Sequence, residues 1–236
     1  MTIVSKKDFI EIEYTGKLKE GDVVFDTTDE KIAKENNLHS RSDYGPVIVC
    51  VGEEQILKGL DKNVDGKEIG KEYDIDIKPE DAFGNKNAKL IRLVPTNKFK
   101  QQNIQPMPGM QLNIDGMMGT IKTVSGGRTL VDFNHPLAGK ELMYKIKINR
   151  KITDDKEKLQ GYLRLGLGTK DFEVEVNNDD AKIKLKNELP KEAEEMLNKK
   201  IIDIIPNIKK VGFAYVVSWL GDGPSRPRMS LLSTSF

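Results

Sequence analysis

The sequence has few of the residues on which most metal and covalent catalytic sites depend, with one cysteine and two histidines among 236 residues. A lone cysteine, Cys50, excludes a disulfide within the chain. Its position in the apolar run 47–51 (VIVCV) predicts a small buried side chain rather than a reactive thiol. Neither His39 nor His135 has a set of ligands nearby, so no metal site is predicted.

Signatures of phosphate binding and of covalent catalysis are missing as well. There is no P-loop and no dinucleotide fingerprint, and the glycines of residues 161–168 (GYLRLGLG) have the wrong spacing for either. A nucleophile, a base and an orienting acid cannot be assembled from two scattered histidines, which argues against covalent hydrolysis. We therefore expect no cofactor.

Charge and hydropathy restrict the partners. Lys and Arg number 38 and Asp and Glu number 37, for a net charge of +1. A nearly neutral surface argues against nucleic acid and membrane lipid as main partners. No run approaches the roughly 20 apolar residues that span a bilayer, and residues 1–9 are too polar for a signal peptide. A cytoplasmic protein is expected.

The pattern that is present is alternation of apolar and polar residues, which is typical of half-buried β-strands. The predicted antiparallel strands carry Ile10, Ile12 and Tyr14; Tyr73, Ile75 and Ile77; and Tyr144, Ile146 and Ile148. Residues 53–60 have apolar side chains at helical spacing, which predicts a short helix across the sheet. The fold class is therefore predicted as α+β, mainly β.

Composition divides the chain into a discontinuous first domain and an inserted module. Prolines and glycines separate short β-like pieces, such as 119–124 and 129–133, between residues 84 and 139. Because the strand alternation resumes near Met143, residues 86–138 are predicted to be a small β domain inserted into a domain of residues 1–85 and 139–152. The two ends of the insert should then lie close together.

A C-terminal α+β domain is predicted for residues 153–220. It begins with a charged linker candidate, 153–158 (TDDKEK), and continues with a hairpin around 177–180. A helix follows Pro190, with an apolar stripe of Ala193, Met196, Leu197, Ile201 and Ile204, and an apolar strand is predicted over 211–220. Residues 221–236 are expected to be disordered or vector-derived.

Several stretches resemble FKBP-type prolyl isomerases, in the order of that family. They are residues 9–18 (FIEIEYTGKL), 21–27 (GDVVFDT), 46–60 (PVIVCVGEEQILKGL), 79–84 (PEDAFG) and 134–147 (NHPLAGKELMYKIK). The resemblance covers most of residues 5–152, with an insert where SlyD-like members have one, and the third domain resembles that of the longer archaeal members. It implies an antiparallel half-barrel wrapped on a short helix, and peptidyl-prolyl cis/trans isomerase activity.

The resemblance also implies a set of site residues. The expected catalytic residues are Tyr14, Phe25, Asp26, Leu57, Phe83 and Tyr144. The expected substrate-binding residues are Val47, Val49, Ile56, Leu60 and Ile146. The Leu57 backbone N–H is expected to donate to a substrate carbonyl, and Asp26, oriented by the Tyr14 hydroxyl, to favour the distorted amide. Leu60 and Phe83 stand where many members have tryptophan and tyrosine, which weakens proline stacking and one hydrogen bond.

The insert has its own candidate binding surface, formed by Met107, Met110, Met117 and Met118. Flexible thioether side chains suit adaptable binding of varied apolar segments, although small domains also use methionine to fill a core. The expected partners are proline-containing peptides and unfolded proteins.

Two functions stay open: a catalyst of prolyl isomerisation with chaperone-like capture by the insert, and a holdase that binds unfolded chains with little catalysis. In the C-terminal domain, the helix stripe and the 211–220 strand form either a core or a homodimer interface, and the longer archaeal relatives suggest the interface.

Overall fold

The structure is a computed structural model that describes residues 2–38 and 44–215. His39, Trp219, the end of the strand predicted over 211–220, and the predicted tail 221–236 lie outside the described residues. Within this part of the chain, no helix is both long and apolar enough to cross a membrane.

The described residues form twelve β-strands and five α-helices. In chain order they are β1 (Phe9–Leu18), β2 (Val24–Thr27), α1 (Glu30–Glu35), β3 (Val47–Cys50), α2 (Lys58–Val64), β4 (Glu72–Ile77), β5 (Ile91–Pro95), α3 (Thr96–Gln101), β6 (Gln111–Ile114), β7 (Met117–Ser125), β8 (Arg128–Asp132), β9 (Leu142–Ile152), α4 (Asp155–Leu167), β10 (Phe172–Asn177), β11 (Asp180–Leu185), α5 (Lys191–Ile204) and β12 (Lys210–Tyr215). The prediction of a mainly β chain with a few helices is confirmed.

Contacts between Cα atoms divide the chain into two compact units. The first unit comprises Met1–Thr15, Thr27–Tyr73 and Lys145–Phe236, and the second comprises Gly16–Asp26 and Asp74–Tyr144. Each break falls inside a strand, namely β1, β2, β4 or β9. The domain boundaries predicted at 85/86, 138/139 and 152/153 stay a prediction.

One sheet has five strands, in the order β2-β1-β9-β4, with β3 also paired to β1. The β1–β3 pair is antiparallel and aligns Ile10 with Val49. The predicted alternation is confirmed: Ile10, Ile12, Ile146 and Ile148 have no exposed surface, and the polar residues between Ile146 and Ile148 and on either side of them are less buried. One face of each strand is therefore core.

The short helix lies further along the chain than the sequence predicts. Apolar spacing predicts a helix over 53–60, but α2 is Lys58–Val64 and Leu57 is its N-cap residue. The prediction is wrong for 53–57, because the Asp61 carboxylate accepts hydrogen bonds from the backbone N–H groups of Gly52 and Glu54, at 3.0 Å each. These bonds hold residues 52–57 as a loop.

A helix that the sequence pattern does not reveal opens the C-terminal segment. The linker predicted at 153–158 is wrong, since α4 begins there with Asp154 as its N-cap residue. The Asp154 carboxylate accepts a hydrogen bond from the Glu157 N–H at 2.8 Å. A capping aspartate and acidic residues in the first turn favour the start of a helix. The charges therefore mark a cap.

The rest of this segment follows the predicted order of elements. Strands β10 and β11 form the predicted antiparallel hairpin, and β12 pairs in parallel with β11, so α5 serves as the crossover connection. As predicted, α5 begins after Pro190. The place of Met196 in the apolar stripe is wrong: its side chain is 73% exposed, because it lies about 100° around the helix from Leu197.

Strands β1 and β3 share one core with the C-terminal helices. Phe9 and Cys50 belong to the same buried cluster as Leu159, Leu163 and Ile201. Helix α4 also approaches β3 closely, since a Cβ atom built on Gly161 would lie 2.5 Å from the Cβ of Ile48. Removing the C-terminal segment would therefore expose apolar side chains of the first unit.

The second unit contains a separate four-stranded antiparallel sheet in the order β5-β8-β7-β6. Its core consists of Phe99, Ile121 and Val131. The β piece predicted at 119–124 is confirmed as part of β7, and that predicted at 129–133 is confirmed except for its last residue, since β8 ends at Asp132. On either side of this sheet, Asn87 and Asn134 are hydrogen bonded to each other, so residues 87 and 134 lie close together.

Candidate functional site

Three predicted site residues of the second unit form an aromatic group. The Phe25 ring is edge-on to the Tyr144 ring, with centroids 5.8 Å apart and an interplanar angle of 84°. It is also edge-on to Phe83, at 6.4 Å and 79°. Edge-to-face pairs at these distances are favourable and fix ring orientation. Tyr144 is buried, whereas Phe25 and Phe83 keep part of their surface exposed.

His135 extends this group, and sequence reasoning did not assign it to the site. Its imidazole stacks on the Phe83 ring, with centroids 4.4 Å apart and an angle of 5°. Its Nδ1 accepts a hydrogen bond from the Leu137 N–H at 3.2 Å, which fixes the ring. The sequence signal that could have placed His135 in the site was its position in the stretch 134–147, which also contains Tyr144. We call Phe25, Phe83, Tyr144 and His135 the ring cluster.

The loop that carries Phe83 is fixed by backbone hydrogen bonds. The Pro79 carbonyl accepts from the Ala82 N–H at 3.1 Å and from the Gly84 N–H at 2.8 Å. Gly84 has φ +74°, a conformation that glycine adopts without steric cost. Its carbonyl accepts from the Gly139 N–H at 2.8 Å. The sequence stretch 79–84 therefore forms a turn that holds the Phe83 ring in place.

In the first unit, the predicted residues Ile56 and Leu57 stand on the 52–57 loop. The Asp61 carboxylate binds one end of this loop, as described above. The Gln55 side chain binds the middle, since its Oε1 accepts from the Cys50 N–H at 2.9 Å. The Leu57 carbonyl accepts from the Leu60 and Asp61 N–H groups, at 2.8 and 2.9 Å. The Leu57 backbone is thus fixed where α2 begins.

Tyr14 is held in the first unit through its backbone. Its N–H donates to Thr28 Oγ1 at 2.9 Å, and its carbonyl accepts from the Thr28 N–H at 2.9 Å. Thr27 Oγ1 donates to the same carbonyl at 3.2 Å. Both threonines are buried. Asp26, the last residue of the second unit's first segment, is half-buried.

The other predicted substrate-binding residues differ in exposure. Val49, Leu60 and Ile146 are buried and form core, while Val47 and Ile56 are half-buried. Three of the four methionines of the predicted binding surface are exposed: Met107 at 56%, Met117 at 40% and Met118 at 60%. Met110 is partly buried against the core of the four-stranded sheet. Two of the exposed thioethers thus lie on β7 and one lies in the segment before β6, while Met110 packs on the sheet core.

The four-stranded sheet carries a small groove of about 180 Å³. Met117, Leu112, Ile114 and Phe133 supply apolar lining. Arg92 lies over the Phe133 ring, with its guanidinium carbon 5.9 Å from the centroid. Across the described residues, no three His, Cys, Asp or Glu side chains are grouped as metal ligands.

These observations define a mainly β protein with a half-exposed aromatic cluster and a fixed loop at a helix start. The family model described as FKBP-type peptidyl-prolyl cis-trans isomerase matches residues 2–99, and that described as FKBP26, IF domain matches residues 92–137. Together with the relatives below, these matches show that the chain belongs to the FKBP-type peptidyl-prolyl cis-trans isomerase family. The predicted family and activity class are confirmed.

The relatives come from archaea and bacteria. The short-type peptidyl-prolyl cis-trans isomerase of Methanocaldococcus jannaschii is 32% identical over 149 residues, which are 63% of this chain and 94% of the relative. The FKBP-type peptidyl-prolyl cis-trans isomerase SlyD of Helicobacter pylori is 33% identical over 128 residues, 52% of this chain and 63% of the relative. An FKBP-type 16 kDa isomerase of Escherichia coli is 27% identical over 113 residues, 46% and 76% of the two chains.

Proposed function

We propose that this isomerase acts on unfolded proteins, with the ring cluster and the Leu57 N–H binding the X-Pro segment and the four-stranded sheet capturing the surrounding chain. The observation that carries the proposal is the arrangement of Phe25 edge-on to both Tyr144 and Phe83. Oriented rings with exposed surface can hold a pyrrolidine ring without any bond being made or broken.

Prolyl isomerisation can be catalysed by selective binding alone. Rotation about an X-Pro bond is opposed by amide resonance, with a barrier of about 18–20 kcal/mol. Binding the twisted amide better than either planar form lowers this barrier, and an apolar site with a few fixed polar groups can do so. The Leu57 N–H holds a substrate carbonyl, and the Asp26 carboxylate favours the distorted state of the rotating one.

Capture of unfolded chain is assigned to the four-stranded sheet. Met107, Met117 and Met118 present flexible apolar side chains to solvent, and the groove beside Met117 offers a place for an apolar side chain. Holding a chain near the ring cluster raises the local concentration of its prolines. Activity on proteins should therefore exceed activity on short peptides.

The second candidate is a holdase with little catalysis, and the exposed methionines favour it. Refolding of a client limited by prolyl isomerisation separates the two functions. A catalyst accelerates the slow phase at a small fraction of the client concentration, and Asp26→Ala abolishes most of that acceleration. A holdase suppresses aggregation only near stoichiometric amounts, and Asp26→Ala leaves this suppression intact.

The predicted homodimer through the C-terminal domain also stays a proposal. Met196 is 73% exposed on α5, which gives this surface an apolar side chain for a second copy. Because Phe9 and Cys50 share a core with the C-terminal helices, truncation is a poor test. Sedimentation of the whole chain and of Met196→Glu is better: a dimer mass that Met196→Glu reduces supports the interface, and a monomer mass for both contradicts it.

A further inference from the structure

Two C-terminal helices contact the 52–57 loop, which lies far from them in the sequence. Lys200 of α5 forms an ion pair with the Glu53 carboxylate. The Gln55 Nε2 donates a hydrogen bond to the carbonyl of Tyr162 in α4 at 3.4 Å. All of these residues belong to the first unit. The loop is thus bound by Asp61 from α2 and by groups of the C-terminal segment.

The Glu53–Lys200 pair differs from most ion pairs of this chain in its burial. The Glu53 side chain is only 10% exposed, whereas that of Lys200 is 42% exposed. A carboxylate withdrawn from water needs a cation or hydrogen-bond donors to stay charged. The hydrogen bond to Glu53 raises the pKa of Lys200, so Lys200 keeps its positive charge at physiological pH. Lys200 therefore restrains the first turn of the loop.

Gln55 transmits a second restraint. Its Oε1 accepts from the Cys50 N–H in β3 while its Nε2 reaches α4, so the side chain joins a strand of the first sheet to a C-terminal helix. Leu57 follows two residues later. Movement at Glu53 or Gln55 would therefore shift the N–H group of Leu57.

We propose that Lys200 and Gln55 are positioning residues that make the C-terminal helices part of the substrate-binding apparatus. They act through the 52–57 loop and set the direction of the Leu57 N–H, so they control affinity for the X-Pro segment. This inference rests on the proposed role of Leu57 in binding the substrate carbonyl.

Variants of the whole chain test the proposal by steady-state kinetics on an X-Pro peptide and by hydrogen exchange. Lys200→Met should raise KM by about threefold to tenfold, as expected for a mutation that loosens a coupled contact, with kcat unchanged. Glu53→Gln should do the same, and the double variant should be no worse than either single one. Lys200→Arg should restore a KM near that of the wild type.

The matched control is Asp203→Asn. Asp203 pairs with Lys7 at 2.8 Å, one turn further along α5, and both side chains are more than half exposed. Its loss should leave KM unchanged because an exposed ion pair contributes little and Asp203 acts on Lys200 only as a nearby charge. Hydrogen exchange over residues 52–57 should accelerate in Lys200→Met and Glu53→Gln, but not in Asp203→Asn.

Two results would overturn the inference. One is an unchanged KM in Lys200→Met with unchanged exchange over 52–57. The other is an equal effect of Asp203→Asn. The change in KM would then reflect a general loss of stability rather than loss of the Glu53–Lys200 contact. If the wild-type chain turned over no peptide at all, the proposed function would fail, and the exchange experiment would still confirm or refute the restraint on the loop.

Discussion

Gly16 in β1 lies directly against the ring of Tyr144. A Cβ atom built on Gly16 would lie 2.8 Å from both Cε1 and Cζ of Tyr144, and 3.0 Å from Cζ of Phe25. Two of the three nearest atoms therefore belong to the Tyr144 ring, and the third belongs to Phe25, whose ring is edge-on to that of Tyr144. Glycine is needed here for close approach.

Gly16→Ala should accordingly disturb the ring cluster. The added methyl group must push Tyr144 or Phe25 aside, and such overpacking costs about 1–3 kcal/mol. We expect lower stability and a lower kcat/KM on X-Pro peptides. The control is Gly166→Ala in α4, where a Cβ atom meets nothing within 4 Å. That variant should gain up to about 1 kcal/mol of stability and keep full activity.

Thr28 should be essential for the position of Tyr14. Its Oγ1 accepts from the Tyr14 N–H at 2.9 Å, and Thr28 is 2% exposed. In Thr28→Val, the buried N–H loses this acceptor, which costs about 1–3 kcal/mol in the free energy of unfolding. Thr28→Ser retains the hydroxyl and should lose less. Urea unfolding measures both, and equal losses would contradict the role of the hydroxyl.

Removal of the four-stranded sheet should separate peptide turnover from protein refolding. The hydrogen-bonded pair of Asn87 and Asn134 marks where a short glycine linker can replace residues 88–133. Turnover of short peptides should persist, while acceleration of protein refolding should fall by on the order of a hundredfold, as expected when local concentration is lost.

The exposed thioethers give a milder version of the same test. Replacing Met107 and Met118 by serine should lower refolding activity without lowering the free energy of unfolding, because both side chains are exposed. Met110→Ser is the matched comparison, and it should cost stability because this side chain packs on the sheet core. Equal loss of peptide and protein activity in the deletion would refute capture by the sheet.

Cys50 should make stability depend on pH in the alkaline range. Burial raises the pKa of its thiol from 9.0 to about 12. Between these values the unfolded chain releases the proton and the folded chain keeps it, so stability falls as pH rises. From pH 8 to pH 10 the loss should be about 1.4 kcal/mol, because ionisation of the thiol favours the unfolded chain about tenfold more at the higher pH. Urea unfolding of wild type and Cys50→Ala should differ in pH dependence by this amount, and parallel curves would contradict it.

The strands could be predicted from the sequence because their burial is local and periodic. Ile10 and Ile12 in β1, and Ile146 and Ile148 in β9, alternate with polar residues, and each is fully buried. The class of activity could be predicted because the stretches that resemble the family are continuous segments, such as 79–84. These motifs can be recognised from the residues alone, without knowing which distant residues they contact in the fold.

Features made by distant partners could not be predicted in the same way. The apolar spacing of residues 53–60 fits a helix, but Asp61 uses its carboxylate on the N–H groups of Gly52 and Glu54 and keeps the segment open. The charges of 153–158 fit a linker until the Asp154 cap is seen. The stacking of His135 on Phe83 joins two loops. Neither loop has a periodic pattern of apolar residues from which this contact could be predicted.

The most direct test of the account is cis/trans exchange in an X-Pro peptide, followed by NMR with the wild-type chain, Asp26→Ala and Asp22→Asn. Asp22 is a suitable control because it is exposed and pairs with Lys17. We predict that wild type and Asp22→Asn accelerate exchange alike, and that Asp26→Ala is slower by about tenfold or more. Exchange no faster than in buffer, or equal rates for wild type and Asp26→Ala, would contradict the proposed mechanism.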